Sequence, residues 1–544
     1  MTPPVDRDPA ARPEPDLAPI GAGIGDEPVP GDVVDTTGRE DARHGTRSAA
    51  SVTAGLAPAA AGQSMSGTVA KGASWSALGR IGSQLVQVLA GIVLARLLTP
   101  ADFGLLASVY IVTGFSVLFF ELGVGSALVQ LKDLTEDDLA TGFWINAIAG
   151  IVFTGLLAAA GPLVADAFNQ PELRTLTPLV ALTFGLSFGV AHRALLARQL
   201  RYKALSLIGF GTSAVGYVVS IVFALAGAKY YALAMGPVVA SGLLSVFYWV
   251  AFPWRPKSFI KRASLPRLWK FSGGLFAFNV VNYAGRNLDN LLIGRYLGPA
   301  ELGYYNRAYN LMLLPVQQVS SVLGGVMFPA LAAIQDDRPR VAAGYQRAVR
   351  LVNVATAPAL FGLAAAAPGV VPLIWGQQWR ETVPILQILC LAGLSQCTTS
   401  SVGWVFQSQG RTGLMFKLGL ASTAVGLTGI AIGFPFGVLG LSWAILVSGL
   451  IILPINVIPA CRVVGASFGD LLRGNAPSLL VGALMGAIVW SLPLLLGVSR
   501  ENGWLVGLQV VVGAVVYVGG MRLAQPAVFA DFVGLVRRAV KRGG

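Results

Sequence analysis

The chain has 544 residues, of which 54% are hydrophobic and only 12% charged, with a mean hydropathy of +0.67 and a net charge of +13; an average soluble domain carries roughly 25% charge. That balance excludes a soluble protein and predicts a polytopic membrane protein, and long apolar runs without short alternation exclude an outer-membrane barrel. Two histidines, His44 and His192, and three cysteines, Cys390, Cys397 and Cys461, offer no zinc spacing, no disulfide framework and few of the bases that catalysis uses. No metal, cofactor or nucleic-acid partner is expected.

In chain order, residues 1–72 are rich in Pro, Ala, Gly, Asp and Arg and nearly lack aromatics, so a disordered cytoplasmic tail is expected. The tail has no apolar core of the length a secretory signal needs. It carries six basic and ten acidic residues, which leaves +17 on the remainder. Apolar runs of about 20 residues, the length that spans a bilayer, fall near 73–95, 104–130, 141–165, 175–195, 204–227, 230–252, 270–293, 304–330, 349–373, 381–407, 414–435, 437–460, 476–498 and 503–522. About fourteen transmembrane helices are predicted. Lys and Arg concentrate in the loops after even-numbered spans, as in Arg193-Arg198-Arg201-Lys203, and in the last residues, Arg537-Arg538-Lys541-Arg542. Because such residues are retained on the cytoplasmic side, both termini are expected there, with the basic 525–544 tail against anionic lipid.

An internal repeat organises these spans. Arg96-Leu-Leu-Thr-Pro100-Ala-Asp102-Phe-Gly104, ending at Tyr110, recurs as Arg295-Tyr-Leu-Gly-Pro299-Ala-Glu301-Leu-Gly303, ending at Tyr309, at an offset of 199. Each copy joins the first and second spans of its half. An even number of helices separates the copies, so the halves share one orientation, the parallel-repeat plan of alternating-access carriers with a site between the halves. The predicted fold is all-α: a six-helix lobe at 73–260, a second at 261–462, and two additional helices within 463–524. The repeated segment reads as a tight outer turn with a helix start.

Charge inside a membrane is costly, so each intramembrane ionisable group is a candidate functional residue. In the seventh span Asn279, Asn282, Arg286, Asp289 and Asn290 fall within an arc of roughly 100°, and either line a cavity or, for Arg286 and Asp289, pair with each other. The first span carries Arg80, Gln84 and Gln87 on a matching face. Two guanidiniums with several amides and few acids suit an anionic, hydroxyl-rich substrate, because Arg binds phosphate in bidentate fashion and amides bond sugars. Glu121 is an isolated acid that pairs with Arg80 or titrates as a coupling site. The Tyr304–Tyr309 stretch, with Arg307, reads equally as a substrate rim or an interfacial aromatic belt. The acids Glu136-Asp137-Asp138 and Asp336-Asp337 are expected in solvated loops.

The repeat Leu98–Gly104, the run Ala284–Arg295 and Gly303-Tyr-Tyr-Asn-Arg307-Ala-Tyr309 resemble the bacterial polysaccharide flippases of the multidrug/oligosaccharidyl-lipid/polysaccharide exporter superfamily, over about residues 66–525. The resemblance implies a V-shaped pair of lobes in the inner membrane that moves a polyprenyl-diphosphate-linked oligosaccharide outward by alternating access, a transporter and not an enzyme. It implies membrane lipids and a polysaccharide polymerase or glycosyltransferases as partners, and a proton or sodium gradient in place of a cofactor. It supports Asn282, Arg286, Asp289, Asn290 and Arg307 as cavity residues and Asp289 as a coupling acid. A drug or cation antiporter of the same superfamily would favour acids over Arg80 and Arg286. A glycan polymerase or ligase would need a large outer loop with catalytic groups, and the outer loops here are about ten residues long.

Overall fold

The computed structural model describes residues 65–120, 124–131, 134–269, 283 and 285–543, all within one unit, Ala54–Gly544. Helices account for every regular element among them. The first, Met65–Leu97, begins eight residues before the first predicted span. It ends where Thr99 opens the next helix, Pro100–Phe120: the Thr99 N–H and hydroxyl donate to Asp102 Oδ2 at 2.9 and 2.7 Å, and Asp102 N–H returns to Thr99 Oγ1 at 3.3 Å. This is a capping box with proline at the first helical position. In the second copy, Gly298, at φ 97°, takes the cap position before Pro299–Ala333, a backbone conformation that a side chain would strain.

Among the described residues, eleven helices are long and apolar enough to cross a membrane, or twelve if Leu173–Gly185 and Val190–Arg198, bent by 43°, form one broken span. The fourteen expected from the sequence differ from this for two reasons. Thr412–Val464 passes as one 53-residue segment, yet the short turn Phe434–Phe436 and Gly437, at φ 70°, fold it into a hairpin. Asn456 Nδ2 then donates to Ser422 Oγ at 2.7 Å, and Gly429 and Gly433 abut Ser448 and Ala444, the small-residue contact that brings membrane helices together. The seventh predicted span lies largely outside the described residues.

Each half has its own core. Leu94, Leu98, Leu106, Val109, Val164, Leu173 and Leu233 pack in the first; Tyr345, Val349, Val405, Phe406 and Val457 pack in the second. The last two spans, Phe468–Leu496 and Gly503–Ala524, lie on the Arg338–Trp375 helix, where Tyr517 donates to the Val354 carbonyl at 2.9 Å and Asn353 Nδ2 to Asn475 Oδ1 at 2.9 Å. Beyond them the basic C-terminus is a helix, Pro526–Gly543, tied down by an Arg347–Asp531 ion pair of 2.7 Å and by Phe529 and Phe532.

The acidic segment at 136–138 departs from the solvated loop expected of it. Asp138 is fully buried and completes a capping box with Thr135, Glu136 Oε1 accepts from Trp254 Nε1 at 2.8 Å, and Asp137 Oδ1 accepts from the Ser258 hydroxyl at 2.6 Å. Three acids in the first turn complement the helix dipole, and the chain from 252 to 261 folds over them. Asp337 likewise caps a helix start, accepting from Arg340 N–H at 3.2 Å.

Candidate functional site: the cavity between the repeats

The two repeated turns pack against each other. A Cβ added at Gly104 would fall on the Pro299 carbonyl, and one added at Gly303 on the Pro100 carbonyl. The Pro100–Phe120 and Pro299–Ala333 helices therefore cross with backbone on backbone, each glycine seated on the other repeat's proline. Glycine is required by this close approach and not by its dihedrals.

Arginines at equivalent repeat positions reach across the same crossing. Arg96 donates to the Leu373 and Ile374 carbonyls (3.0 Å to the latter) at the C-terminus of the Arg338–Trp375 helix. Arg295 donates at 2.8 Å to the Asp166 carbonyl, at the C-terminus of Glu136–Phe168. Each thus bonds last-turn carbonyls of the third helix of the opposite half, where the helix dipole favours a cation. The Gln377–Trp379 turn does the reverse: Trp379 Nε1 and Gln378 Nε2 donate to the Ala95 carbonyl at 2.8 and 2.7 Å, and Gln378 also to Leu98 at 3.0 Å. Trp379 is fully buried, edge-on to Phe103 at 5.3 Å. Together these contacts clasp one end of the two halves shut. Arg96→Gln and Arg295→Gln are each expected to loosen the clasp roughly two- to fivefold, at about 0.3–1 kcal/mol per cation on a helix terminus. Alkylation of a cysteine placed at Ala107, just beneath the crossing, would report it.

Beneath the clasp lies a cavity of about 300 Å³ that takes walls from both halves: Gln87, Gly91, Phe103, Tyr110 and Tyr217 from the first, Asn287, Asn290, Asn306 and Arg307 from the second. Arg307 is its only cation among the described lining residues, and none of those is a carboxylate. Its guanidinium lies 3.9 Å from the Phe103 ring centroid and 5.9 Å from those of Trp375 and Trp379. Among the described residues it has no ion pair and donates no hydrogen bond. Cation–π contact holds the group without spending its donors, which leaves the planar fork free for an anion.

Three of the sequence-derived candidates, Gln87, Asn290 and Arg307, meet here. Asp289 sits behind the wall, 8% exposed, accepting from the Tyr305 hydroxyl at 2.5 Å and from Asn290 N–H at 2.8 Å. It makes no ion pair with Arg286, which is exposed on the same helix; Tyr305 and the next residue satisfy the carboxylate instead. Arg80 is exposed and Gln84 half-buried on the first helix, neither in the cavity wall. Asn279, Asn282 and Glu121 lie outside the described residues. Tyr305 is a core residue, not part of an interfacial belt. Sequence reasoning did not single out Tyr217, nor Gln378 and Trp379. Arg96 and Arg295 were visible as a repeated pair, but the Gly376-Gln-Gln-Trp379 turn occurs once, so no repeat marks it.

A repeated turn in each half, a clasped end and a polar cavity between the halves fit the plan of a membrane carrier. The fold is similar to that of the lipid II flippase MurJ in an inward closed conformation (TM-score 0.65, 15% identity, covering 82% of this chain and 98% of that one). Residues 93–384 match the family model described as polysaccharide biosynthesis protein, and the chain belongs to that family. Among its relatives are the lipopolysaccharide biosynthesis protein WzxC of Escherichia coli (strain K12), 29% identical over 372 residues (66% of this chain, 74% of that protein), and the succinoglycan biosynthesis transport protein ExoT of Rhizobium meliloti (strain 1021), 29% identical over 339 residues (61% and 68%).

Proposed function

We propose that this protein is a flippase that carries a polyprenyl-diphosphate-linked oligosaccharide across the bacterial inner membrane for cell-surface polysaccharide synthesis. The observation that carries the reading is the unpaired guanidinium of Arg307 in a cavity of amides and phenols without a described carboxylate. An anionic, hydroxyl-rich headgroup satisfies that set; a cationic drug does not. Phosphate engages Arg307, sugar hydroxyls engage Gln87, Asn287, Asn290 and Asn306, and the prenyl chain stays in lipid beside the halves. Loosening of the clasp while the opposite end closes then moves the headgroup between leaflets, the alternating-access cycle of parallel-repeat carriers. An ion gradient drives this cycle, with Asp289 and its Tyr305 hydrogen bond as the element that senses it, and both termini lie in the cytoplasm.

The test is glycan analysis of a deletion strain. A lipid-linked oligosaccharide should accumulate on the inner leaflet, and re-expression should clear it; unchanged lipid-linked pools and unchanged surface glycan would reject the reading. Deleting residues 2–64 is expected to leave both insertion and export within about twofold of the full chain, because that composition offers little apolar surface to dock on the helices. Surface-glycan yield at matched membrane abundance checks this.

A further inference from the structure

The first half holds a second and larger cavity, of about 920 Å³, bounded by the Pro100–Phe120, Glu136–Phe168 and Tyr230–Ala251 helices and the broken fourth span. The break makes the room. At 186–189 the chain leaves the helix, and Ser245 Oγ repairs the gap by donating to the Leu186 carbonyl at 2.6 Å and accepting from Phe188 N–H at 3.2 Å. Tyr110 and Pro237 line both this cavity and the central one, so the two share a wall.

One end of the cavity lies at headgroup depth. Arg193 follows His192, which stacks on Trp249 at 4.9 Å and bonds the Trp254 carbonyl at 3.0 Å; Arg255 covers Trp249 at 4.5 Å. Indoles beside arginines mark a membrane–water interface. Tyr110, ten residues into a helix that starts at the clasp, sits about 15 Å below it, near mid-membrane. The cavity thus runs from the membrane face opposite the clasp to the partition before Arg307.

Its polar groups are of two kinds. The hydroxyls of Thr113, Thr183, Ser187 and Ser245 donate to backbone carbonyls. The Arg193 guanidinium has no ion pair or hydrogen bond among the described residues, the Tyr110 and Tyr248 hydroxyls donate none, and Asn146, 5% exposed, leaves Oδ1 without a partner. Unmet polar groups at membrane depth are costly, and no carboxylate is among the described lining residues. Val117, Val180 and Leu244 form an aliphatic wall alongside.

We infer that this cavity is a loading site for the phosphate end of a lipid carrier: Arg193 takes the phosphate at the membrane face, Asn146, Tyr110 and Tyr248 take hydroxyls of the attached sugar, and the aliphatic wall takes the first part of the chain. This rests on the flippase reading and adds to it a station ahead of Arg307. The test is binding, without transport, on the full chain in phosphatidylcholine nanodiscs, titrated with a polyprenyl phosphate and separately with inorganic phosphate. The wild type should bind the polyprenyl phosphate and not the free anion. Arg193→Gln should weaken binding about tenfold or more, Arg193→Lys should recover part of it, and Leu244→Trp, which fills the cavity and keeps the cation, should weaken it as well. Arg193 is exposed, so its exchange decides the matter even if Leu244→Trp fails to fold. Wild-type binding in Arg193→Gln, with weakening only in Arg307→Gln, would overturn the loading site and leave the flippase reading standing. No binding by the wild type would overturn both, and equal binding of inorganic phosphate would overturn the lipid carrier as its ligand.

Discussion

Replacing Gly104 or Gly303 with alanine is expected to shift the protein away from its clasped conformation by about 5- to 150-fold. Either Cβ would overlap a proline carbonyl of the other repeat, and that carbonyl belongs to a helix start that cannot rotate aside as a side chain does. Overpacking of this kind costs typically about 1–3 kcal/mol, and in the proposed alternating-access cycle, where the clasp opens, that cost falls on the clasped state. A ligand-free equilibrium moves by the difference between its states. Cysteine introduced at Ala107 should change from protected to readily alkylated by an impermeant reagent, against a low background, since Cys390, Cys397 and Cys461 are all buried. Transport should fall with it, and Gly104→Ala with Gly303→Ala should exceed either alone. Unaltered labelling and export in both single variants would show that the crossing is not part of the cycle.

Arg307→Gln is expected to reduce export at least about tenfold while leaving membrane abundance unchanged. A charge-assisted hydrogen bond contributes about 1.5–3 kcal/mol, and the substrate phosphate would lose it. The protein itself should tolerate the exchange, since no described carboxylate depends on this guanidinium; what is lost is the stacking on Phe103, about 0.5–2 kcal/mol. Arg307→Lys should retain part of the activity as a point charge without the bidentate fork. Asp289→Asn provides the contrast, because it disturbs the hydrogen bond from buried Tyr305 and so should affect abundance as well as transport. Full export by Arg307→Gln at matched abundance would remove this residue from the substrate path.

The primary sequence by itself determined the membrane class, the all-helical fold and the presence of the repeated turn. Hydropathy must match the bilayer wherever a helix meets lipid, and a repeated turn keeps its spacing whatever surrounds it. It also marked Gln87, Asn290 and Arg307, because polar groups on one face of an apolar helix stand out. Helical periodicity, however, tells only which residues share a face, not what that face meets. Arg286 and Asp289 share an arc, yet one is exposed and the other is satisfied by Tyr305, sixteen residues on. By contrast, the two spans read at 414–435 and 437–460 are separated where expected, by the Phe434–Gly437 turn. Only the tertiary structure decided that the repeated glycines sit on each other's prolines, that Arg96 and Arg295 cap helices of the opposite half, and that Trp379 closes the end between them. Those contacts join residues up to 284 positions apart, and backbone carbonyls, which supply half of each contact, are the same at every position of a sequence.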